Sequence, residues 1–347
     1  MNKICVSKPG KLYFMGEYGV VSGKSHAIIF PTTWKLQVSI EESDEFLIES
    51  SQWPCVIHYD FNHLEDSSNL SKWERSLLFM KRYAKELGLE IPTHHILIQS
   101  ELDQSIHHKW GLGSSGAFSV AMIEALSTLL GIPQSPLSLY KLAVLSQLQD
   151  MDHTSFGDIA CSAYETPILY KMVHRQWLKS HLLTPISTML TIKWPNLVIE
   201  PIAFTPIPLM VVHTSISADS NSLVKQAFES IPSHFLDSLM KSIDDITLAA
   251  LKALQSNDLA SLDTCIRSHH QIYQVIDSFI KGSILPAILL ELFKDASKYG
   301  IAGKCSGAGG GDNLLFLTPN QESIQPFISH ITSKYPIISS HIIGVIS

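Results

Sequence analysis

The chain has little of what usually betrays a protein's setting. Its five cysteines, Cys5, Cys55, Cys161, Cys265 and Cys305, are scattered and odd in number, which excludes a disulfide framework and suits a reducing cytoplasm. It has no basic block, and 25 Lys and Arg against 32 Asp and Glu leave a formal net charge of -7; a nucleic-acid footprint is excluded. No uninterrupted apolar run reaches the ~18 residues of a membrane helix, and the N-terminal stretch MNKICVSKPGKLYFM lacks the apolar region and cleavage site of a secretory signal. The expectation is a cytoplasmic protein with neither membrane nor nucleic acid as partner. Sixteen histidines include the pairs His94-His95, His107-His108 and His269-His270, but none has the H-E-x-x-H or Cys/His spacing of a zinc site, so no structural metal is expected. The P-loop pattern G-x-x-x-x-G-K-[ST] is missing, as is the H-R-D and D-F-G set of protein kinases.

What remains is an ordinary globular composition, 45% hydrophobic and 16% charged over 347 residues, long enough for two domains with sizeable cores. The stretch Lys109-Trp110-Gly111-Leu112-Gly113-Ser114-Ser115-Gly116-Ala117 stands out, because glycine destabilises helix and strand interiors and must serve another purpose. Apolar residues at helical spacing follow from Phe118 to Leu130. A glycine-rich turn opening a helix makes an anion site, since the first-turn N–H groups lack partners and the dipole is positive there. Two serine hydroxyls and Lys109 add donors and charge, so phosphate binding is the first expectation. Gly111-x-Gly113-x-x-Gly116 formally matches the dinucleotide fingerprint, but strand segments and a helix precede it and no acidic residue stands near position 136.

In chain order, Pro9-Gly10 and Ser22-Gly23 read as turns, with a strand-like segment from Leu12 to Val21 between them. Strand-like segments follow at Lys35–Ile40, Phe46–Glu49 and Val56–Tyr59. Ser71 to Leu87 reads as an amphipathic helix stopped by Gly88, His95 to Ser100 as a strand, and Leu137 to Gln149 as a helix. The proline-marked stretch from 180 to 208 reads as a connection between domains. Strand Leu209–His213 then leads into helices at Asn221–Glu229, Ser233–Ala253, Leu259–Ile280 and Leu285–Tyr299, a strand at Leu314–Leu317, a helix around 320–333 and a last strand around 341–345. The coarse class is α+β in two halves.

Two further motifs have bland alternatives. Lys11 after Pro9-Gly10, with Glu17 and Tyr18 beyond, also fits a turn followed by a strand with surface charges. Ser306-Gly307-Ala308-Gly309-Gly310-Gly311-Asp312 also fits a flexible linker, although a strand follows it at once. Asp158, in Ser155-Phe156-Gly157-Asp158-Ile159-Ala160-Cys161, also fits a helix cap.

Taken in order, PGKLYFMGEYGVV, KWGLGSSGA and KCSGAGGGDN resemble the three signature motifs of the GHMP small-molecule kinases, from about residue 5 to residue 318. Gly16-Glu17-Tyr18 where mevalonate kinases carry Gly-Glu-His, Lys109-Trp110 ahead of GLGSS, and the Ser155 to Cys161 and Ser306 to Asp312 segments resemble the bacterial phosphomevalonate kinase branch most. The resemblance implies a two-domain α+β fold. A ribosomal S5 domain 2-like domain would span 1–190 and a ferredoxin-like domain 191–347, with the active site in the cleft between them. It implies ATP and Mg2+ as cofactors, phosphomevalonate as substrate, and a monomer or homodimer. Gly111, Leu112, Gly113, Ser114, Ser115 and Gly116 would hold the ATP phosphates, with Ser115 also on the metal. Lys11, Asp158 and Ser115 would be catalytic. Lys11, Glu17, Tyr18, Lys109, Ser155, Asp158, Ser220, Ser306, Gly307, Ala308 and Gly309 would contact the acceptor, and Lys109 would grip its phosphate.

Asp158 matches the base of mevalonate kinases, yet a phosphate monoester, with a second pKa of about 6, arrives largely deprotonated. Orienting Lys11 is then the expected role of Asp158. The chain departs from mevalonate kinases at the metal: eleven residues before Asp158, where they carry a glutamate, stands Gln147, with Gln149, Asp150 and Asp152 nearby. Mevalonate kinase and a non-catalytic nucleotide sensor of the same fold are the competing readings.

Overall fold

A computed structural model describes residues 3–61, 64, 70–105, 108–148, 154–216, 218–318 and 321–335. The first half runs β1 (Ile4–Met15), β2 (Ala27–Glu42), β3 (Leu47–Ser50), β4 (Ile57–His58), α1 (Lys72–Glu86), β5 (His94–Ser100), β6 (Asp103–Ser105) and β7 (His108–Lys109). It continues through α2 (Ser114–Leu129), α3 (Pro136–Ser146), α4 (Gly157–Tyr164), β8 (Ile168–Lys171), α5 (Arg175–Ser180), α6 (Ile186–Thr191) and β9 (Val198–Pro201). Its sheet has the order β4-β3-β5-β2-β8-β9, with β1 along β2; among the described residues only β3 and β5 pair in parallel. The second half runs β10 (Leu209–His213), α7 (Ser220–Ser230), α8 (Ser233–Gln255), α9 (Leu259–Phe279), α10 (Ala287–Lys298), β11 (Ala302–Ser306), β12 (Asn313–Leu317) and α11 (Ile324–Lys334). Among the described residues its sheet is antiparallel, in the order β10-β12-β11. This is the expected α+β architecture in two halves.

Local chemistry explains the elements that frame the site. Ser71 caps α1 in a reciprocal capping box with Glu74, which fixes where that helix starts. Helix α2 is apolar on nearly every face because it is enclosed: Val120, Ile123 and Leu126 are fully buried, and it packs on β1, β2, α1, α3 and α4. The core of the first half continues into the second through Ala250, Leu254, Leu262, Ile266 and Leu315, so an apolar seam joins the halves behind the site.

Three expectations need correcting. Pro9-Gly10 is no turn: β1 runs through it, with a register irregularity between Pro9 and Lys11. Gly10 permits this because a Cβ there would lie 2.7 Å from both Leu102 Cδ2 and Leu112 O. The strand expected from Leu12 to Val21 ends at Met15, where Gly16 takes φ 91°. The stretch from 180 to 208 is more than a connection, since it holds α6 and β9, and β9 pairs with β8 in the first sheet. We propose on that ground a domain division after Pro201 rather than at 190/191. The strand expected around 341–345, and Gln149, Asp150 and Asp152, lie outside the described residues. No helix among them is long and apolar enough to cross a membrane.

Candidate active site

Past the irregularity in β1, Lys11 stands opposite Pro31 of β2 and its N–H turns to the glycine loop. Its N–H donates to Leu112 O at 2.7 Å, and its Nζ donates to Gly111 O at 3.2 Å, 5.2 Å from the centre of the Tyr13 ring. Gly113 caps α2 at φ 78°, ψ 36°, a left-handed conformation that disfavours side chains. A Cβ on it would also stand 2.8 Å from Lys11 Cγ. No side chain caps α2, so its first-turn N–H groups and positive dipole end face the loop's concavity. Leu112 is buried and contributes its carbonyl, while Ser114 and Ser115 are half-buried on the first turn.

Asp158 reaches the same turn from α4. A Cβ on Gly116 would lie 2.6 Å from Asp158 Oδ2, so only glycine lets the carboxylate come this close to α2. Helix α4 starts from Phe156 at φ 56° and has no side-chain cap, which removes the cap reading of Asp158. Behind it, Tyr13 and Ser155 hydroxyls are 2.8 Å apart, Gly157 N–H donates to Ser155 Oγ, and Tyr170 donates to Ser155 O at 2.5 Å. Burial, then the nearby Asp158 charge, pushes the Tyr13 hydroxyl well above its usual range, so it stays neutral. Ser155, expected as a substrate contact, has its hydroxyl committed to this brace.

Glu17 and Tyr18 anchor the second glycine loop. Glu17, 3% exposed, accepts from Lys304 Nζ at 2.6 Å and from Gly307 N–H at 3.3 Å. Burial pushes its carboxyl upward and the Lys304 charge opposes this. Gly16 N–H donates to His269 Nε2 at 3.2 Å, which assigns the proton of the neutral ring to Nδ1. Burial, reinforced by Lys304, holds this imidazole well below its usual pKa. Tyr18 donates to Ala308 O at 2.7 Å, and Ser306 donates to Tyr13 O at 3.0 Å. Gly309 faces the core, where a Cβ would meet Ile284 Cγ2 at 2.5 Å. These contacts dispose of the flexible-linker reading and give Ser306 and Gly309 a role in holding the loop.

Lys11, Glu17, Tyr18, Ser155, Asp158, Ser220, Gly307 and Ala308 thereby line one cavity of about 190 Å³ between the halves. A larger, mainly apolar cavity of about 640 Å³ adjoins it across Val21 and Val224 but contains none of the charged groups of the loop. Lys109 has its backbone in β7 opposite Asp103; its side chain lies outside what the structure describes.

Lys72, which the sequence did not single out, and Asp312, the last residue of the second glycine motif, belong here. Lys72, the first residue of α1, donates to Ser115 Oγ; the contact is tertiary and leaves no local signal. Asp312 follows the second loop at φ 51° and packs on Gly111, where a Cβ would lie 2.8 Å from its Cγ. Burial raises the Asp312 carboxyl pKa and the charge of Lys11 lowers it.

The arrangement fits a polyphosphate: an uncapped helix N-terminus flanked by two lysines. It does not fit a magnesium ion at the Ser115 hydroxyl. The Ser115 hydroxyl is engaged by an ammonium group, and Gln147 is buried with its amide toward Ser76 and Ser146. No cluster of three His, Cys, Asp or Glu side chains suited to a metal occurs among the described residues.

Comparison with known proteins agrees with this geometry. Residues 75–166 match the family described as GHMP kinases N terminal domain, and residues 250–337 match GHMP kinases C terminal. The chain is 27% identical over 354 residues to the phosphomevalonate kinase of Streptomyces sp. (strain CL190), covering 94% of this chain and 92% of that one. It is 24% identical over 348 residues to the mevalonate kinase of Pyrococcus horikoshii, covering 97% and 95%. The fold is that of the Streptococcus pneumoniae phosphomevalonate kinase solved in complex with phosphomevalonate and AMPPNP, with a TM-score of 0.87, 23% identity, and coverage of 99% of this chain and 100% of that one.

Proposed function

The chain belongs to the GHMP kinases, and on that premise we propose that it transfers the γ-phosphoryl group of ATP to (R)-5-phosphomevalonate, giving ADP and 5-diphosphomevalonate in the mevalonate route to isoprenoids. The observation that carries this reading is Lys11, wrapped by the ATP-type glycine loop on one side and exposed to the acceptor-sized cavity on the other. Similarity to phosphomevalonate kinases along nearly the whole chain supports the choice of acceptor.

Phosphoryl transfer asks mostly for positioning and for neutralising charge on the moving group. Magnesium brought in with ATP would supply further neutralising charge. The ATP phosphates lie at the N-terminus of α2, against the N–H groups of the Gly113–Ser115 turn. The acceptor sits in the 190 Å³ cavity, contacted by Ser220, Gly307 and Ala308; the family resemblance alone assigns its phosphate to Lys109. An acceptor phosphate oxygen attacks the γ-phosphorus, the bond to the β–γ bridging oxygen breaks, and ADP leaves with that electron pair. Lys11 offsets the charge between the two anions. The acceptor needs no base at neutral pH, so Asp158, pressed against the same helix turn, keeps Lys11 and the reacting oxygens aligned.

One observation favours mevalonate kinase as a second reading: a carboxylate beside Lys11 at the cavity wall is also what a hydroxyl acceptor requires. Coupled ADP release with mevalonate, phosphomevalonate and diphosphomevalonate offered separately tests the two. Turnover with phosphomevalonate is expected, and turnover confined to mevalonate would overturn the proposal.

A further inference from the structure

We propose that Lys72 is a ligand of the donor phosphates, and that its ammonium group, rather than a protein-held magnesium ion, is the cation that Ser115 positions. The proposal rests on the reading of the glycine loop as the ATP phosphate site and adds to it a residue from a separate element.

The placement of Lys72 is built. Ser71 N–H donates to Glu74 Oε2 at 2.7 Å and Ser71 Oγ does so at 2.5 Å, so the first turn of α1 is fixed and Lys72 leaves it from a defined backbone. From there Nζ spans to the first turn of α2 and donates to Ser115 Oγ. Lys11 approaches the same loop at its other end, through Gly111 O. A triphosphate seated on the α2 N-terminus therefore meets one ammonium at each end of the loop. This division suits the chemistry, because charge builds on the β–γ bridging oxygen as well as on the transferred group.

The same contact argues against Ser115 as a metal ligand. An ammonium donating to this hydroxyl occupies an acceptor lone pair and places a positive charge where a dication would have to stand. Magnesium is bound through one or two carboxylates together with substrate phosphates, and the position eleven residues before Asp158 offers Ser115 no acid but the buried amide of Gln147. The ion is left to the phosphates, and the protein's grip on the donor passes to Lys72.

Titration calorimetry with a non-hydrolysable ATP analogue, in EDTA and in excess magnesium, tests this on the full chain. Wild type is expected to bind the analogue in EDTA. Lys72→Met and Lys72→Gln should weaken that binding by about 10- to 100-fold, as loss of a charge-assisted hydrogen bond does, while Lys72→Arg restores most of it. Ser115→Ala should weaken it in EDTA as well, and adding Ser115→Ala to Lys72→Met should cost nothing further. Thermal unfolding of each variant within a few degrees of wild type separates ligand loss from misfolding. Wild-type affinity in both neutral variants overturns the proposal alone. A Ser115→Ala defect that appears only with magnesium does the same. Wild type that binds the analogue in neither condition overturns the kinase reading and the proposal with it.

Discussion

The carboxylate of Asp158 fills the space that a side chain on Gly116 would need: a Cβ there would lie 2.6 Å from Oδ2 and 2.7 Å from Cγ. Helices α2 and α4 thus set the carboxylate and the phosphate turn at one fixed separation. Gly116→Ala should displace Asp158 while leaving the fold intact, since α2 is otherwise a regular helix. A displacement of about 1 Å at a reacting centre can lower kcat by ~100-fold. Steady-state kinetics together with an unchanged circular dichroism spectrum would check this.

Lys11 and Asp158 should separate in their kinetic effects. Lys11→Met removes the charge between donor and acceptor and should lower kcat by ~1,000-fold, the scale of a lost electrostatic contact in the transition state. Asp158→Asn keeps the shape and should cost much less, because a phosphate acceptor brings no proton to be removed. Equal losses of about a thousandfold in both would favour base catalysis.

The Glu17–Lys304 pair joins the turn after β1 to β11 with both side chains almost wholly buried. Truncating one partner strands the other charge, which costs about 3–5 kcal/mol. Glu17→Gln and Lys304→Met should each lower the midpoint of urea unfolding accordingly. Because Glu17 also accepts from Gly307 N–H, the Gln variant should raise KM for the acceptor more than KM for ATP.

Acidification should destabilise the protein through its buried histidines. Burial holds His94 and His269 below the ordinary value of 6.5 and takes His270 down to about 4. Below pH 6.5 the unfolded chain therefore binds protons that the folded chain refuses, and stability falls as pH drops toward 4. The raised carboxyls of Glu17 and Asp312 act in the opposite sense. Urea unfolding at pH 7 and pH 5 isolates one histidine if His270→Gln is run alongside, and the variant should lose less stability between the two pH values than wild type.

Much of the fold was legible because it is locally encoded. The glycine stop at Gly88 and the periodic apolar face placed α1 almost to the residue. Lys11, Asp158 and the loop were readable as motifs, since their chemistry demands glycine and charge at fixed spacing. Illegible were contacts between segments distant in sequence. Nothing around Glu17 announces that Lys304 will meet it, so its part in anchoring the second loop leaves no local sign. Pro9-Gly10 read as a turn because the β2 residue paired with Pro9, Lys35, lies 26 positions away. Lys72 goes unmarked in the sequence for the same reason.

The central claim is that this site takes an acceptor already carrying a phosphate. Side-by-side measurement of kcat/KM for phosphomevalonate and for mevalonate, at saturating ATP and with the product identified by phosphorus NMR, tests it most directly. If a charged side chain grips that phosphate, the site should reject the acceptor lacking it by on the order of a thousandfold or more, and the product should show a new diphosphate linkage. A ratio near one or below, with a phosphomonoester as the product, would contradict the account.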